Sequence, residues 1–169
     1  MAACGLLEPE GIVGRGAGLT DEAFSKKKAV IGEALKKYRL SPDDPVAILS
    51  CVGGLDIGAM VGLYLGCGYF RLPIVADGVI SAAALLAYRL NPLIKDYIIP
   101  SHLSEEPAYR IAAEEMGLRP VLALNMRLGE GSGCPIMMQV VETALAAMNG
   151  MSTFEEEAME TDYREDITM

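Results

Sequence analysis

At 169 residues the chain has the length of one domain with a sizeable core, and an apolar content of 51% excludes a disordered polypeptide. A formal charge of −9, with Lys26-Lys27-Lys28 as the one basic run, excludes a nucleic-acid backbone as the expected partner, because such binding rests on neutralised phosphates. Cys4, Cys51, Cys67 and Cys134 lack C-x-x-C spacing and sit mostly in apolar runs, so they read as free thiols of a reducing compartment, and the chain as cytoplasmic.

Nothing at the N-terminus has the basic, apolar, small-residue order of a signal peptide, and Met1-Ala2-Ala3-Cys4-Gly5 reads as the cut end of something longer. Gly11-Ile12-Val13 is a short strand candidate, followed by the loop Gly14-Arg15-Gly16-Ala17-Gly18. A helix is expected from about Thr20 to Tyr38, capped by Thr20 or Asp21, with Phe24, Val30, Ile31 and Leu35 at helical spacing and Lys27, Lys28, Lys36 and Lys37 mostly on its wet face. Ser41-Pro42-Asp43-Asp44-Pro45 reads as a linker that ends helix, and Val46 to Cys51 as a fully apolar central strand. Val46 to Phe70 is almost continuously apolar, but Asp56 near its middle costs about 2.5–3.5 kcal/mol in a bilayer. The Gly53-Gly54 break therefore predicts a buried strand and then a helix to about Phe70, with no membrane partner.

Pro73 to Ala76 repeats the pattern as a strand, with Asp77-Gly78 as the turn and Ile80 to Leu90 as an Ala-rich helix. Asp56 and Asp77 thus stand at strand-to-helix junctions, where open parallel sheets bind ligands, although each taken singly is a helix cap. Asp96 to Ile99 is the next strand, and Ser104 is the expected cap of a helix running to Met116 and stopping at Gly117. His102 with Glu105 or Glu106 has metal-like spacing, but a lone His beside two glutamates in a first helical turn is ordinary dipole chemistry, and no metal is expected. Val121 to Leu124 reads as strand, Pro135 to Asn149 as helix, and residues 151–169 as an acidic short helix from Thr153 with a tail.

Strand and helix alternate about five times, which predicts an α/β fold: a Rossmann-like parallel sheet with helices on both faces and a C-terminal helical extension. Residues 1–150 form the expected domain and residues 151–169 the extension. The first loop departs from G-x-G-x-x-G, and no acidic residue ends the Val46 to Cys51 strand, so a dinucleotide site rests only on fold analogy and a weak glycine loop, and no cofactor is expected.

The loop Arg127-Leu128-Gly129-Glu130-Gly131-Ser132-Gly133 joins the last strand to the last helix. Its alternate glycines allow close approach of backbone N–H groups to an anion at a helix start, and Glu130 there suggests a base beside an anion site. Taken alone, the loop is better explained as a tight turn in which Glu130 complements the helix dipole. The other loops shift that balance.

Together, Gly14-Arg15-Gly16-Ala17-Gly18-Leu19, Val52-Gly53-Gly54-Leu55-Asp56-Ile57, Asp77-Gly78, Ser101-His102-Leu103-Ser104-Glu105-Glu106 and the Arg127 to Gly133 loop resemble the nicotinate-nucleotide:dimethylbenzimidazole phosphoribosyltransferase family, in order from about Ala2 to Phe154. The resemblance implies transfer of phosphoribose from nicotinate mononucleotide to a benzimidazole, giving the α-ribazole phosphate of the cobalamin lower ligand. It implies Glu130 as general base, which suits a ring N–H that must lose its proton to a carboxylate partly desolvated among glycines. It also implies substrate contacts from Gly14, Gly16, Lys27, Asp77, Ser104, Gly131, Ser132 and Gly133, with Lys27 as a point charge on phosphate. The match covers only the C-terminal half of the family's chain, so the rest of the benzimidazole pocket is expected from a longer protein or a companion chain. A non-catalytic nucleotide-binding or scaffold subunit is the competing reading. Small-residue helices around Gly58, Ala59, Gly62, Gly66 and Ala82, Ala83, Ala84, Ala87 suggest a homo-oligomer.

Overall fold

The computed structural model describes residues 4, 9–16, 18–78, 82–126 and 128–158. The start of the helix expected from Ile80, Arg127, and the tail beyond residue 158 lie outside them. The elements in order are α1 (Pro9–Ile12), α2 (Asp21–Tyr38), α3 (Pro45–Ile48), α4 (Leu55–Phe70), β1 (Ile74–Ala76), α5 (Ala82–Leu90), β2 (Ile98–Pro100), α6 (Pro107–Met116) and α7 (Cys134–Gly150). A wide helical turn, Leu49–Gly53, links α3 to the Gly54 that opens α4, and a tight one, Pro92–Tyr97, leads into β2. The described residues fall into two compact units, one ending at Met137 and one beginning at Met138.

The fold is α/β, mostly helical around a small parallel sheet. β1 and β2 pair in parallel with Ile74 opposite Ile98, Val75 opposite Ile99 and Ala76 opposite Pro100. Ser101 N–H extends the pairing onto Ala76 O at 2.9 Å. A parallel pair cannot be closed by a tight turn, and here the crossover runs through α5 and the Pro92–Tyr97 turn. Leu85, Ala84 and Ala87 on α5 are wholly buried, in a core with Ile48, Val61, Tyr64, Ile94, Ile98, Ala112 and Met116. Burying one such Leu or Ile contributes about 1.5–3 kcal/mol.

Three segments expected as strands are not strands. Gly11-Ile12-Val13 belongs to the end of α1 and the coil after it. A three-residue apolar run carries no period that could separate helix from strand. Val46 to Cys51 is helical through α3 and the wide turn. Its cause is local: Asp44 Oδ1 accepts from Ala47 N–H at 2.9 Å, and Pro45 occupies the first helical turn, where its missing N–H costs nothing. Asp44-Pro45 therefore starts a helix where it was expected only to end one. Val121 to Leu124 has no regular secondary structure and no ladder among the described residues. Leu122 O accepts from Leu103 N–H at 2.7 Å and Met126 O from Glu105 N–H at 3.3 Å, which holds it along the loop after β2.

The helices follow the sequence more closely. Thr20 Oγ1 caps α2 by accepting from Ala23 N–H at 3.3 Å, and Arg39 in the left-handed region closes it. Gly117, at φ 68°, closes α6 as expected. α6 starts later than expected, behind Glu106 and Pro107, and Ser104 Oγ instead accepts from Glu106 N–H at 3.3 Å within the loop. Asp56 is not the cap of α4 but sits in its first turn, with Gly54 at the cap. Arg89 ties distant segments together, donating to both carboxylate oxygens of Glu115 (2.7 and 2.9 Å) and to Cys4 O and Pro42 O. That hydrogen bonding to Glu115 raises the Arg89 pKa further.

In the second unit α7 continues to Gly150, and Thr153 then forms a reciprocal cap with Glu156: Thr153 N–H donates to Glu156 Oε2 at 2.7 Å and Glu156 N–H to Thr153 Oγ1 at 3.2 Å. The pair holds the exposed Glu156 carboxyl below its usual range. No helix among the described residues is long and apolar enough to cross a membrane.

Candidate active site

Both glycine loops meet the loop between β2 and α6, at different residues. Behind β1, Asp77 turns its side chain into the interior, 5% exposed, and its Oδ1 accepts from Ser101 Oγ at 3.0 Å and lies 3.1 Å from His102 Nδ1. Ser101 Oγ is also 3.0 Å from His102 Nδ1, and both residues are buried. A carboxylate only accepts, and the Ser101 hydroxyl proton goes to it, so the His102 nitrogen that faces it, Nδ1, carries a proton. His102, weighed from sequence against a metal role, is engaged in this cluster. Among the described residues no group of three or more His, Cys, Asp and Glu could hold a metal.

The second glycine loop lies directly on that cluster. A methyl group added at Gly133 would collide with His102 Nδ1 and would sit 2.5 Å from Asp77 Oδ1 and 2.8 Å from Ser101 Oγ. At its other end, Gly129 Cα comes within 3.6 Å of where a side chain at Gly78 would begin. Between these anchors Gly129, Glu130 and Gly131 all take positive φ, at 75°, 58° and 77°. For a glutamate this left-handed backbone costs about 1–2 kcal/mol, a local strain that the surrounding contacts must hold. Ser132 N–H donates to Gly129 O at 3.1 Å and Cys134 N–H to Gly131 O at 3.0 Å. Those amides are spent within the turn, whereas among the described residues no backbone carbonyl takes the N–H of Gly131 or Gly133.

Glu130 and Asp77 line one cavity of about 400 Å³ with Met60, Leu63, Tyr64, Ile74, Val75, Leu128, Gly129, Gly131 and Cys134. Glu130 is exposed at this cavity, so the partial desolvation expected from its glycine neighbours is not found in this chain. Burial pushes the Tyr64 hydroxyl up to about 12 and raises the Cys134 thiol, with the Asp77 charge adding to the latter. Tyr109, behind the site, is likewise pushed up to about 12 by burial and then by Asp77. Asp77 Oδ2, Tyr109 OH and Ser132 Oγ are buried without a hydrogen-bond partner among the described residues.

The first glycine loop forms a separate cluster. Lys27 Nζ donates to Gly14 O at 2.9 Å, and the Glu106 carboxylate occupies the space where a Gly14 side chain would stand. Ser104 is buried one turn of loop away, and Gly16 is exposed with φ 61°. Gly14, Lys27 and the Ser104–Glu106 loop are thus brought together, and Asp77, Glu130, Gly131, Ser132 and Gly133 form the second group. Sequence reasoning missed Ser101, His102 and Cys134 as parts of the site. For Ser101 and His102 a signal existed, since they begin the same motif as Ser104.

A family model described as phosphoribosyltransferase matches residues 1–159. The chain belongs to this phosphoribosyltransferase family. Nicotinate-nucleotide--dimethylbenzimidazole phosphoribosyltransferase of Clostridium perfringens (strain ATCC 13124) is 52% identical over 161 residues, covering 95% of this chain and 45% of that protein. The protein of the same name from Clostridium acetobutylicum is 47% identical over 150 residues, covering 88% of this chain and 43% of its own length. Among solved structures, CobT from Thermus thermophilus superposes with a TM-score of 0.83 at 38% identity, over 95% of this chain and 50% of that one. The chain therefore spans about half the length of the phosphoribosyltransferases it matches.

Proposed function

We propose that this chain supplies the nucleotide-binding and base-bearing half of an enzyme that transfers phosphoribose from nicotinate mononucleotide to a benzimidazole. The observation that carries the reading is that Glu130 and Asp77 share one largely apolar cavity beside a glycine loop in which the N–H groups of Gly131 and Gly133 meet no backbone carbonyl among the described residues. About 400 Å³, walled by Met60, Leu63, Tyr64 and Leu128, suits a flat aromatic acceptor, within the usual size range of small-molecule sites. A ring nitrogen of the acceptor attacks the anomeric carbon, the bond from that carbon to the nicotinate nitrogen breaks with its electron pair going to nicotinate, and the second ring nitrogen gives its proton to Glu130. The Gly131 and Gly133 amides, at the start of α7, favour an anionic group of the nucleotide, and Lys27 in the first loop brings a positive charge to its phosphate.

The names of the relatives support these substrates, and their length supports a further segment, from a longer chain or a companion, that covers the open side at Glu130. Exposed Leu55, Leu63, Tyr69 and Phe70 on α4, where a side chain begun at Gly58, Gly62 or Gly66 would meet no described residue within 4 Å, support association through that helix, either with such a segment or as a homo-oligomer. The free thiols and the biosynthetic chemistry favour the cytoplasm.

The test is Glu130→Gln in the full-length protein. The amide keeps the size of the side chain but cannot take the proton, so transfer should fall by roughly 10²–10⁴. Nicotinate mononucleotide binding should stay within a few fold by calorimetry. Near-normal turnover would remove Glu130 from the base role and favour the reading as a non-catalytic binding subunit.

A further inference from the structure

We propose that His102 is a positioning residue for the loop that carries Glu130, acting through Asp77, Ser101 and Gly133. This rests on the reading of Glu130 as the base. Four observations converge on it. His102 is the chain's only histidine, it is 1% exposed, and its ring is committed to the Asp77 carboxylate at 3.1 Å. Gly133 packs so closely on His102, Asp77 and Ser101 that no side chain fits between them. Glu130 stands three residues earlier in a backbone conformation that costs energy and must be held from outside the loop. Asp77 and Glu130 line the same cavity, so a shift of the first alters the floor under the second.

The chain of contact is physical at each step. The imidazole N–H and the Ser101 hydroxyl both donate to one oxygen of Asp77, which fixes the carboxylate rotamer and presents a flat, bonded surface. Gly133 rests on that surface, and its carbonyl accepts from Met137 N–H at 3.1 Å as α7 begins. The other end of the loop is set by Gly129 against Gly78. His102 does not itself line the cavity and meets it only through Asp77. Its effect on the reaction comes from where it holds the loop, as outer partners do for the groups that meet substrate.

The experiment compares His102→Leu with His102→Asn in the full-length protein. Leucine removes the donor, whereas the asparagine amide N–H stands near the place of Nδ1–H. The expected result is that His102→Leu lowers kcat per folded enzyme about 10–100-fold, since small misplacements of a reacting group have effects of that size, while the Kd for nicotinate mononucleotide changes less than that. His102→Asn should recover most of the rate. Independently of activity, amide hydrogen exchange at Gly129 to Gly133 should accelerate in His102→Leu and return toward normal in His102→Asn. If His102→Leu does not fold, Gly133→Ala keeps both Asp77 and His102, forces the loop and the cluster apart, and should give the same loss of rate and faster exchange. Normal kcat and normal loop exchange in a folded His102→Leu, or in Gly133→Ala, overturn the inference. Absence of transfer to any benzimidazole by the unaltered protein overturns the functional reading instead, and the exchange comparison still decides the positioning role.

Discussion

Replacing Gly133 by alanine is the smallest change that tests how the site is held. The backbone there is not in the left-handed region, so alanine meets no conformational strain, and lowering the entropy of the unfolded chain should by itself stabilise by about 0.4–1 kcal/mol. Against this, the new methyl collides with His102 Nδ1 and stands 2.5 Å from Asp77 Oδ1 and 2.8 Å from Ser101 Oγ, all three in buried side chains joined to one another. None is the free end of a flexible chain, so the loop or the cluster must move. Overpacking of this kind costs about 1–3 kcal/mol, more than the entropic gain. Net of that gain, the loss for a protein of this size corresponds to a fall in Tm of up to roughly 10 °C. Differential scanning calorimetry of the two proteins measures it. A Gly133→Ala protein as stable as the original, or more so, would show that the close approach of loop and cluster does not exist, and the account of the site given above would fall with it.

Lys27→Ala should weaken binding of nicotinate mononucleotide while leaving its nucleoside nearly unaffected, because phosphate is the group its charge would meet. Equal losses for both ligands in calorimetry would mean that the lysine acts only by holding Gly14. Tyr64 and Tyr109, whose hydroxyls are pushed up to about 12 in the folded protein, should contribute stability that is fully present below pH 10 and lost as pH rises toward 12. Each is expected to account for about 2–3 kcal/mol across that range, seen as a falling urea midpoint. Tyr109→Phe should flatten that dependence without loss of stability at pH 8, since the buried hydroxyl has no partner among the described residues; a loss above about 1 kcal/mol at pH 8 would indicate a partner.

The sequence by itself determined the class of fold and the longer helices. α2 follows from its Thr20 cap and apolar spacing, α4 and α6 from their apolar content and the Gly117 stop rather than from the caps expected at Asp56 and Ser104, and the β1–α5–β2 crossover is legible from two short apolar runs flanking an Ala-rich segment. The glycine loops were legible too, because backbone that turns through positive φ at Gly129 and Gly131 needs glycine. Val46 to Cys51 has strand composition, yet the neighbouring Asp44-Pro45 cap, a local signal, wound it into helix. Tertiary structure decided the fate of Val121 to Leu124, which found only spaced hydrogen bonds to the loop after β2. It also decided the membership of the site. The order of residues along the chain contains nothing that places Gly133 against His102, or Glu106 against Gly14. The cluster that Gly133 meets exists because parallel pairing of β1 with β2 brings the turn at Asp77 beside Ser101, and side chains separated by a whole crossover then share one buried carboxylate.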